Sequence, residues 1–592
     1  MRVLVRKMLT LLTPAQRRTA VMLLGLMVVG MVLETFGLGL ILPAIALLLD
    51  NDVAVMYPRL QPVLAALGHP SQSQLVAGGL GVLVAIYVLK ALFLGFLAAR
   101  QMRFVFDVQA QLSQQLFDIY LHQPFTFHLN RNTAVMVRNT GTEVILFTFN
   151  CMLPSLTMLT EGLVVAGIGT LLLIVEPLGA LLVLVVLGAC TWASQRATSR
   201  RTSRWGEERQ RHEALRTQHL QQGLAGVKEV ILLGREQHFL ERYRVHNIQT
   251  ARMAQYASVL LALPRLWLEL LAVIGLAILV LSMMAQGHTM SVIVQTVGLF
   301  AAAAFRLAPA ANRILNALQS LHYGVAVINT LHDEFSLPVP EPRTARGNPM
   351  TFDRQIALST VGYTYPGGGA PAIDDLSLVI TKGECVGFIG QSGSGKSTLV
   401  DVVLGLLAPT AGRVLVDGRD IHEDLRGWQD QVGYVPQSIY LLDSSLRANI
   451  AFGLPDAMID ATAMARAVRA AQLDEFVSSL PEGLETVVGE RGVRISGGQR
   501  QRIGIARALY HDPALVVLDE ATSSLDSATE HEVMQAVSLL RGNKTVIIVA
   551  HRLSTVEGCD RLYRLVDGRV FQEGSPDAML SARVPTTQLK GA

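Results

Sequence analysis

The run Gly390-Gln391-Ser392-Gly393-Ser394-Gly395-Lys396-Ser397-Thr398 lies between a strand-like stretch, 384–389, and the apolar stretch 399–407. It fits G-x-x-x-x-G-K-[ST] in a strand–loop–helix setting, the pattern of a phosphate-cradling loop. Glycines let backbone N–H groups close on phosphate oxygens, and the helix N-terminus behind them favours negative charge. In that chemistry Lys396 brings a cation to the β- and γ-phosphates and the Ser397 hydroxyl is a ligand for Mg2+. A second apolar strand, Leu515-Val516-Val517-Leu518, ends in Asp519-Glu520. Asp519 is placed to hold the metal, and Glu520 to polarise a water as general base, a contribution of typically 10²–10⁴-fold. A third strand, 545–549, delivers Ala550-His551 towards a γ-phosphate. Each feature has a bland reading, as a glycine turn, a solvated strand end or a structural histidine. Together they point to a nucleoside triphosphatase.

Something else must hold this soluble α/β half, because the 592-residue chain is 51% hydrophobic and only 16% charged, against roughly 25% charged for soluble chains. The excess lies before residue 325. A span needs about 20 apolar residues, and six candidates occur at 19–49, 76–98, 144–175, 178–194, 257–285 and 291–320. The first is too long for a signal-peptide core and no small-residue cleavage site follows it, so Arg17-Arg18 is not read as a twin-arginine signal. Arg2, Arg6, Lys7, Arg17 and Arg18 precede it, and seven arginines from Arg196 to Arg216 follow span four. By the positive-inside rule the N-terminus, the long connections 101–141 and 195–256 and the C-terminal half are cytoplasmic. The connections read as membrane helices extended into the cytoplasm, each reversing at a short turn. Domains are therefore expected at 1–335 (transmembrane), 336–350 (a Pro-rich linker) and 351–592 (ATPase). A net charge of +3 is too small to argue for nucleic acid. The four cysteines, Cys151, Cys190, Cys385 and Cys559, form no metal-ligand spacing and read as isolated small hydrophobes. Residues Leu60, Val63, Leu64 and Leu67 keep helical spacing, fitting an amphipathic helix on the outer surface or one packed on the bundle.

The segment Ile495-Ser496-Gly497-Gly498-Gln499-Arg500-Gln501-Arg502 precedes a helical stretch and lies about twenty residues ahead of Asp519. Here the chain resembles the ATP-binding cassette (ABC) transporters, whose signature usually reads LSGGQ, with Ile495 in place of Leu. The resemblance implies an exporter-type half-transporter: a membrane all-α six-helix domain followed by a soluble α/β P-loop ATPase, working with ATP and Mg2+. It implies Tyr365 on the adenine, Gln437 as the glutamine near Mg2+, Ser523-Ser524-Leu525-Asp526 as the D-loop and His551 as the switch histidine. Residues 486–492 resemble the X-loop, and coupling turns are placed near 122–127 and 223–234. In this family ATP lies between one cassette's P-loop and the other's Ser496, Gly497, Gly498 and Gln499, so a second chain is implied. Because every catalytic position is filled, that chain is expected to be a second copy, with a heteromeric partner as the alternative.

Charges inside the apolar spans bear on cargo. Lys90, Arg265, Arg306 and Arg313 lie in or near spans two, five and six, with Glu34, Glu161 and Glu269. A central Lys or Arg costs about 2.5–3.5 kcal/mol on insertion scales, so each must face a wet cavity, a partner or an anionic ligand. Two readings fit: a cationic cavity for cargo, or local neutralisation, as for Arg265 and Glu269 at i, i+4, together with an interfacial position for Arg313 and Arg265. Leu33-Glu34-Thr35-Phe36, Leu263-Pro264-Arg265, Phe305-Arg306-Leu307-Ala308-Pro309 and Ala311-Asn312-Arg313-Ile314 resemble the PglK-like flippases of lipid-linked oligosaccharides. That resemblance implies a belt of Lys90, Arg265, Arg306 and Arg313 receiving a polyprenyl pyrophosphate glycan in a bacterial inner membrane, with the 60–67 helix at the lipid tail. Lys90 stands where that family has arginine, which keeps the charge and loses the bidentate fork. The alternatives are a general exporter of lipids, drugs or peptides, and a membrane-anchored ATPase regulating another protein.

Overall fold

The computed structural model describes residues 2–40, 72–175, 177–287, 290–338, 350–489, 495–521, 527–550 and 552–581. The chain divides into two compact units, Met1–Gln123 with Asn130–Pro340, and Pro124–Leu129 with Glu341–Ala592.

The first unit is helical. Its long helices are α1 (Pro14–Gly39), α2 (Gln72–Leu121), α3 (Leu153–Val175), α4 (Pro177–Ala225), α5 (Glu236–Ala285) and α6 (Met290–Tyr323). Thr13 starts α1 with a capping box: Gln16 N donates to Thr13 Oγ1, Thr13 N donates to Gln16 Oε1, and Pro14 follows where no N–H is needed. Among the described residues, Pro14–Gly39, Val76–Leu121, Thr133–Val175 and Glu236–Ala285 are long and apolar enough to cross a membrane. Helices α2, α4 and α5 have 50, 49 and 50 residues. A bilayer core takes about 20, so each continues well beyond it without a break. Short helices lie at Phe125–Asn130 and Val227–Leu232, overlapping the 122–127 and 223–234 stretches where turns were expected. Two π-helical turns, Asn139–Glu143 and Thr148–Met152, interrupt the helical run before α3. Hydrophobic periodicity gave no sign of them.

The second unit holds two sheets. A six-stranded sheet runs in the order β10-β9-β3-β8-β7-β6, and a four-stranded antiparallel sheet in the order β2-β1-β4-β5. The first comprises β3 (Cys385–Ile389), β6 (Val432–Val435), β7 (Leu515–Asp519), β8 (Thr545–Val549), β9 (Arg561–Val566) and β10 (Arg569–Gly574). The second comprises β1 (Gln355–Tyr363), β2 (Ile373–Thr381), β4 (Ala411–Val416) and β5 (Arg419–Asp420). Strands β3, β7 and β8 are buried at every position, as parallel strands covered on both faces must be. Phe388 and Asp519 both pair with Val549, so the chain ends of the three strands lie level and their loops open on one edge. Ligand sites of parallel sheets form there.

One expectation fails in this core. Cys385 and Cys559 do not stand apart: the parallel pairing of β3 with β9 brings their Sγ atoms to 3.5 Å, both buried as free thiols. The 60–67 segment, most of the 336–350 linker, residues 490–492 of the X-loop, the D-loop residues Ser523, Ser524, Leu525 and Asp526, and His551 lie outside the described residues.

Candidate functional site

The loop between β3 and α7 (Lys396–Val403) is a cradle that admits little but backbone. Gly393 and Gly395 have φ of 83° and 96°, a region costly for residues with a Cβ. A Cβ on Gly395 would meet the Ala372 carbonyl oxygen at 2.5 Å. Lys396 is buried and donates to the carbonyl oxygens of Gly390 (3.0 Å) and Gln391 (2.9 Å), folding the loop around its own ammonium. Burial pushes that ammonium down from its ordinary value, while Glu520 and Asp519 oppose the shift. Ser394 Oγ is buried with no hydrogen-bond partner among the described residues, whereas Gln391, Ser392 and Ser397 are exposed. An unsatisfied buried hydroxyl in a glycine-rich loop that leads into a helix N-terminus fits a polyphosphate. Thr398 is bonded to Tyr365, Oη to Oγ1 at 3.1 Å, and the Tyr365 ring sits edge-on to Tyr363. This sets an aromatic side chain beside the start of α7.

Asp519 closes β7, and Glu520 follows with φ 48°, its N–H donating to Val549 O at 2.9 Å. The positive φ turns the chain sharply after Asp519. Gln437, expected near the metal, donates its amide to Glu520 Oε2 at 2.7 Å. Two residues that the motifs did not single out border this site. Tyr434, on β6, donates to Asp519 Oδ2 at 3.5 Å. Asp401, on α7, has its carboxyl pushed up to about 6 by burial and by the charge of Asp519. A lone acid in Leu399-Val400-Asp401-Val402-Val403 was the available signal for it.

Ser496, Gly497, Gly498 and Gln499 begin α8 (Gly497–Leu509). Ser496 Oγ accepts from Gln499 N at 3.2 Å and Ser496 N donates to Gln499 Oε1 at 2.9 Å, a capping box. Ser496 and Gly497 are exposed. The signature therefore presents a preformed helix N-terminus outward.

In the first unit the membrane charges are brought together. Arg306 donates Nε and Nη2 to the two oxygens of Glu34 (3.1 and 3.3 Å) and Nη1 to Glu161 Oε2 (3.2 Å). Lys90 Nζ lies 3.0 Å from Glu34, and Arg313 Nε 2.8 Å from Glu161. Among the described residues three cations thus share these two carboxylates, leaving one positive charge in excess among the five groups. Glu34 and Glu161 are buried, while the Arg313 side chain is 43% exposed. Arg313 also lines a cavity of about 680 Å³ with Glu269, Asn312 and apolar Leu268, Val273, Leu276 and Phe305. Arg265 is in α5, and its side chain lies outside the described set. Spacing had placed Arg306 and Arg313 on one helix face. It gave no hint that Glu161 joins them.

Sequence models of known families match both units. The ABC transporter model covers residues 373–523, and the ABC transporter transmembrane region model covers residues 39–307. An ATP-dependent lipid A-core flippase of Cupriavidus pinatubonensis is 31% identical over 482 residues, 80% of this chain and 80% of that protein. One from Cupriavidus metallidurans is 32% identical over 79% of each chain. This chain belongs to the ABC transporters. It is an exporter-type half-transporter: a multi-pass membrane domain joined to one ATPase cassette. The solved structure of a bacterial Atm1-family ABC exporter with ATP bound has a TM-score of 0.79 at 21% identity, covering 96% of this chain and 97% of that one. At that identity the likeness speaks for the exporter fold alone.

Proposed function

We propose that this half-transporter pairs with a second copy of itself and flips a lipid-linked oligosaccharide, a polyprenyl pyrophosphate glycan, from the inner to the outer leaflet of a bacterial cytoplasmic membrane. The observation that carries the cargo reading is the cationic cluster. Buried carboxylates hold Lys90, Arg306 and Arg313 in the membrane domain, with one positive charge left over. Arg313 opens on a cavity that Glu269 and Asn312 also line and whose other walls are apolar. An amphiphile with a phosphate head fits that chemistry, and an arginine fork suits a phosphate better than an ammonium does. Arg265 is the fourth member by resemblance.

In the cassette, Tyr365 stacks on the adenine and the loop from Gly390 to Thr398 holds the phosphates. Ser397, Gln437 and Asp519 are the residues that would hold Mg2+, which would supply charge neutralisation at the β- and γ-phosphates. Glu520 takes the proton of the attacking water, which requires its carboxylate to leave the Gln437 amide that holds it at 2.7 Å. His551 steadies the γ-phosphate side, and the exposed Ser496 turn completes the site of the other copy.

A second reading, lipid A-core as cargo, rests on the names of the relatives. Both cargoes are lipid-linked oligosaccharides, and proteoliposomes separate them. The polyprenyl pyrophosphate glycan should stimulate ATP hydrolysis and reach the opposite leaflet. Flipping of lipid A-core alone establishes the second reading, and flipping of neither removes the glycolipid assignment in favour of an apolar cargo.

A further inference from the structure

The arginines that follow the fourth span are not all in the same situation. Arg204 Nε reaches Glu208 at 3.0 Å, Arg209 Nη2 lies 3.7 Å from Glu143, and Arg216 Nη2 lies 2.6 Å from Glu213. Closest to the membrane the pattern changes. Among the described residues no carboxylate lies within ion-pair distance of Arg196, Arg200 or Arg201, although acids are available further along the same helix. Instead Arg196 and Arg200, with Trp192 and Ser199, line a pocket of about 320 Å³. Positions 192, 196, 199 and 200 fall at i, i+4, i+7 and i+8, so the pocket is formed by one face of α4. Trp192 is 67% exposed.

We infer that this pocket binds the phosphate headgroup of an anionic phospholipid in the cytoplasmic leaflet. Four observations point there. The pocket sits where the apolar run 178–194 gives way to arginine, which is the height of lipid headgroups. Tryptophan is enriched at that boundary, with its apolar ring beside acyl chains and its N–H in the wet layer. Arg196 and Arg200 rise about 6 Å from one another along the helix, a spacing that lets two guanidiniums straddle one phosphate. A cluster of four arginines just cytoplasmic of a span (Arg196, Arg200, Arg201 and Arg204) is the general pattern for holding anionic lipid. Arg204 already has Glu208, so Arg196, Arg200 and Arg201 are the cations whose charge an anionic lipid headgroup neutralises. The inference uses the membrane orientation of the chain and no part of the cargo assignment.

The native tryptophan is the probe. The full-length protein is reconstituted in bilayers that contain phosphatidylglycerol or phosphatidylcholine brominated near the headgroup end of the chains. Subtracting the W192F signal isolates Trp192. Brominated phosphatidylglycerol should quench Trp192 preferentially, by about fivefold in relative affinity for each guanidinium and so about 25-fold for the two at low salt. The preference should shrink as salt rises. R196Q/R200Q should bring it close to one, and R196K/R200K, which keeps both charges and the fold of the helix, should retain most of it. Equal quenching by the two lipids overturns the inference. So does a preference that survives R196Q/R200Q, is lost in R196K/R200K, or appears only when bromine is carried by a glycolipid cargo.

Discussion

Arg306→Gln and Glu161→Gln should move cargo recognition in opposite directions while both weaken the helical bundle. Arg306 bridges the two carboxylates, with three hydrogen bonds between 3.1 and 3.3 Å. Removing one member of a buried ion pair costs about 3–5 kcal/mol when its partner is left bare. Neither carboxylate is left bare here, because Lys90 stays 3.0 Å from Glu34 and Arg313 stays 2.8 Å from Glu161. The expected loss is therefore that of hydrogen bonds to a charged group, about 1.5–3 kcal/mol. Glu161→Gln loses a similar amount, since Arg306 keeps Glu34, and Arg313, which loses its 2.8 Å contact with Glu161, has a side chain 43% exposed to water. The charges differ in sign. Arg306→Gln abolishes the cluster's single excess positive charge, whereas Glu161→Gln doubles it. A unit charge near 4 Å is worth about 4 kcal/mol at an effective dielectric of 20. Even a third of that shifts the half-saturating concentration of an anionic cargo about tenfold, upward for Arg306→Gln and downward for Glu161→Gln. The assay is cargo-stimulated ATP hydrolysis in proteoliposomes, with thermal unfolding and basal hydrolysis measured on the same preparations. Half-saturation that moves the same way in both variants, tracking the loss of Tm, refutes the electrostatic argument.

Glu520→Gln should leave ATP binding intact and slow hydrolysis by about 10²–10⁴-fold, because an amide cannot take the water's proton. Near-normal turnover of that variant would remove Glu520 as general base. Asp401→Asn should raise the thermal stability of the nucleotide-free protein at pH 7.5, with the gain shrinking as pH falls through 6 towards 4. The folded-state value of about 6 exceeds the ordinary 3.8. The native state therefore binds more protons across that window and loses stability as pH rises through it. A destabilised variant at pH 7.5 would show that Asp401 contributes a needed charge.

Much of the cassette was legible in the chain because its chemistry is local. Nine consecutive residues from Gly390 to Thr398 contain both the turn-forming glycines and the groups expected to face a phosphate. A strand followed by Asp519 and Glu520 likewise carries its own position, since a buried parallel strand reads as an unbroken apolar run. The long helices were legible for the same reason: twenty apolar residues state a span without reference to any other element. What the sequence could not state was which distant groups meet. Glu34, Lys90, Glu161 and Arg306 come from four helices, and their pairing depends on how those helices pack, which no periodicity encodes. The same limit hid the contact of Gln437 with Glu520, 83 residues apart, and the meeting of Cys385 with Cys559, 174 residues apart. Residue types and spacing determined that this chain has the pattern of a phosphate-cradling loop and apolar helices carrying charge. Only the tertiary structure decided how those charges are shared, because the energy of an ion pair depends on distances that folding alone sets.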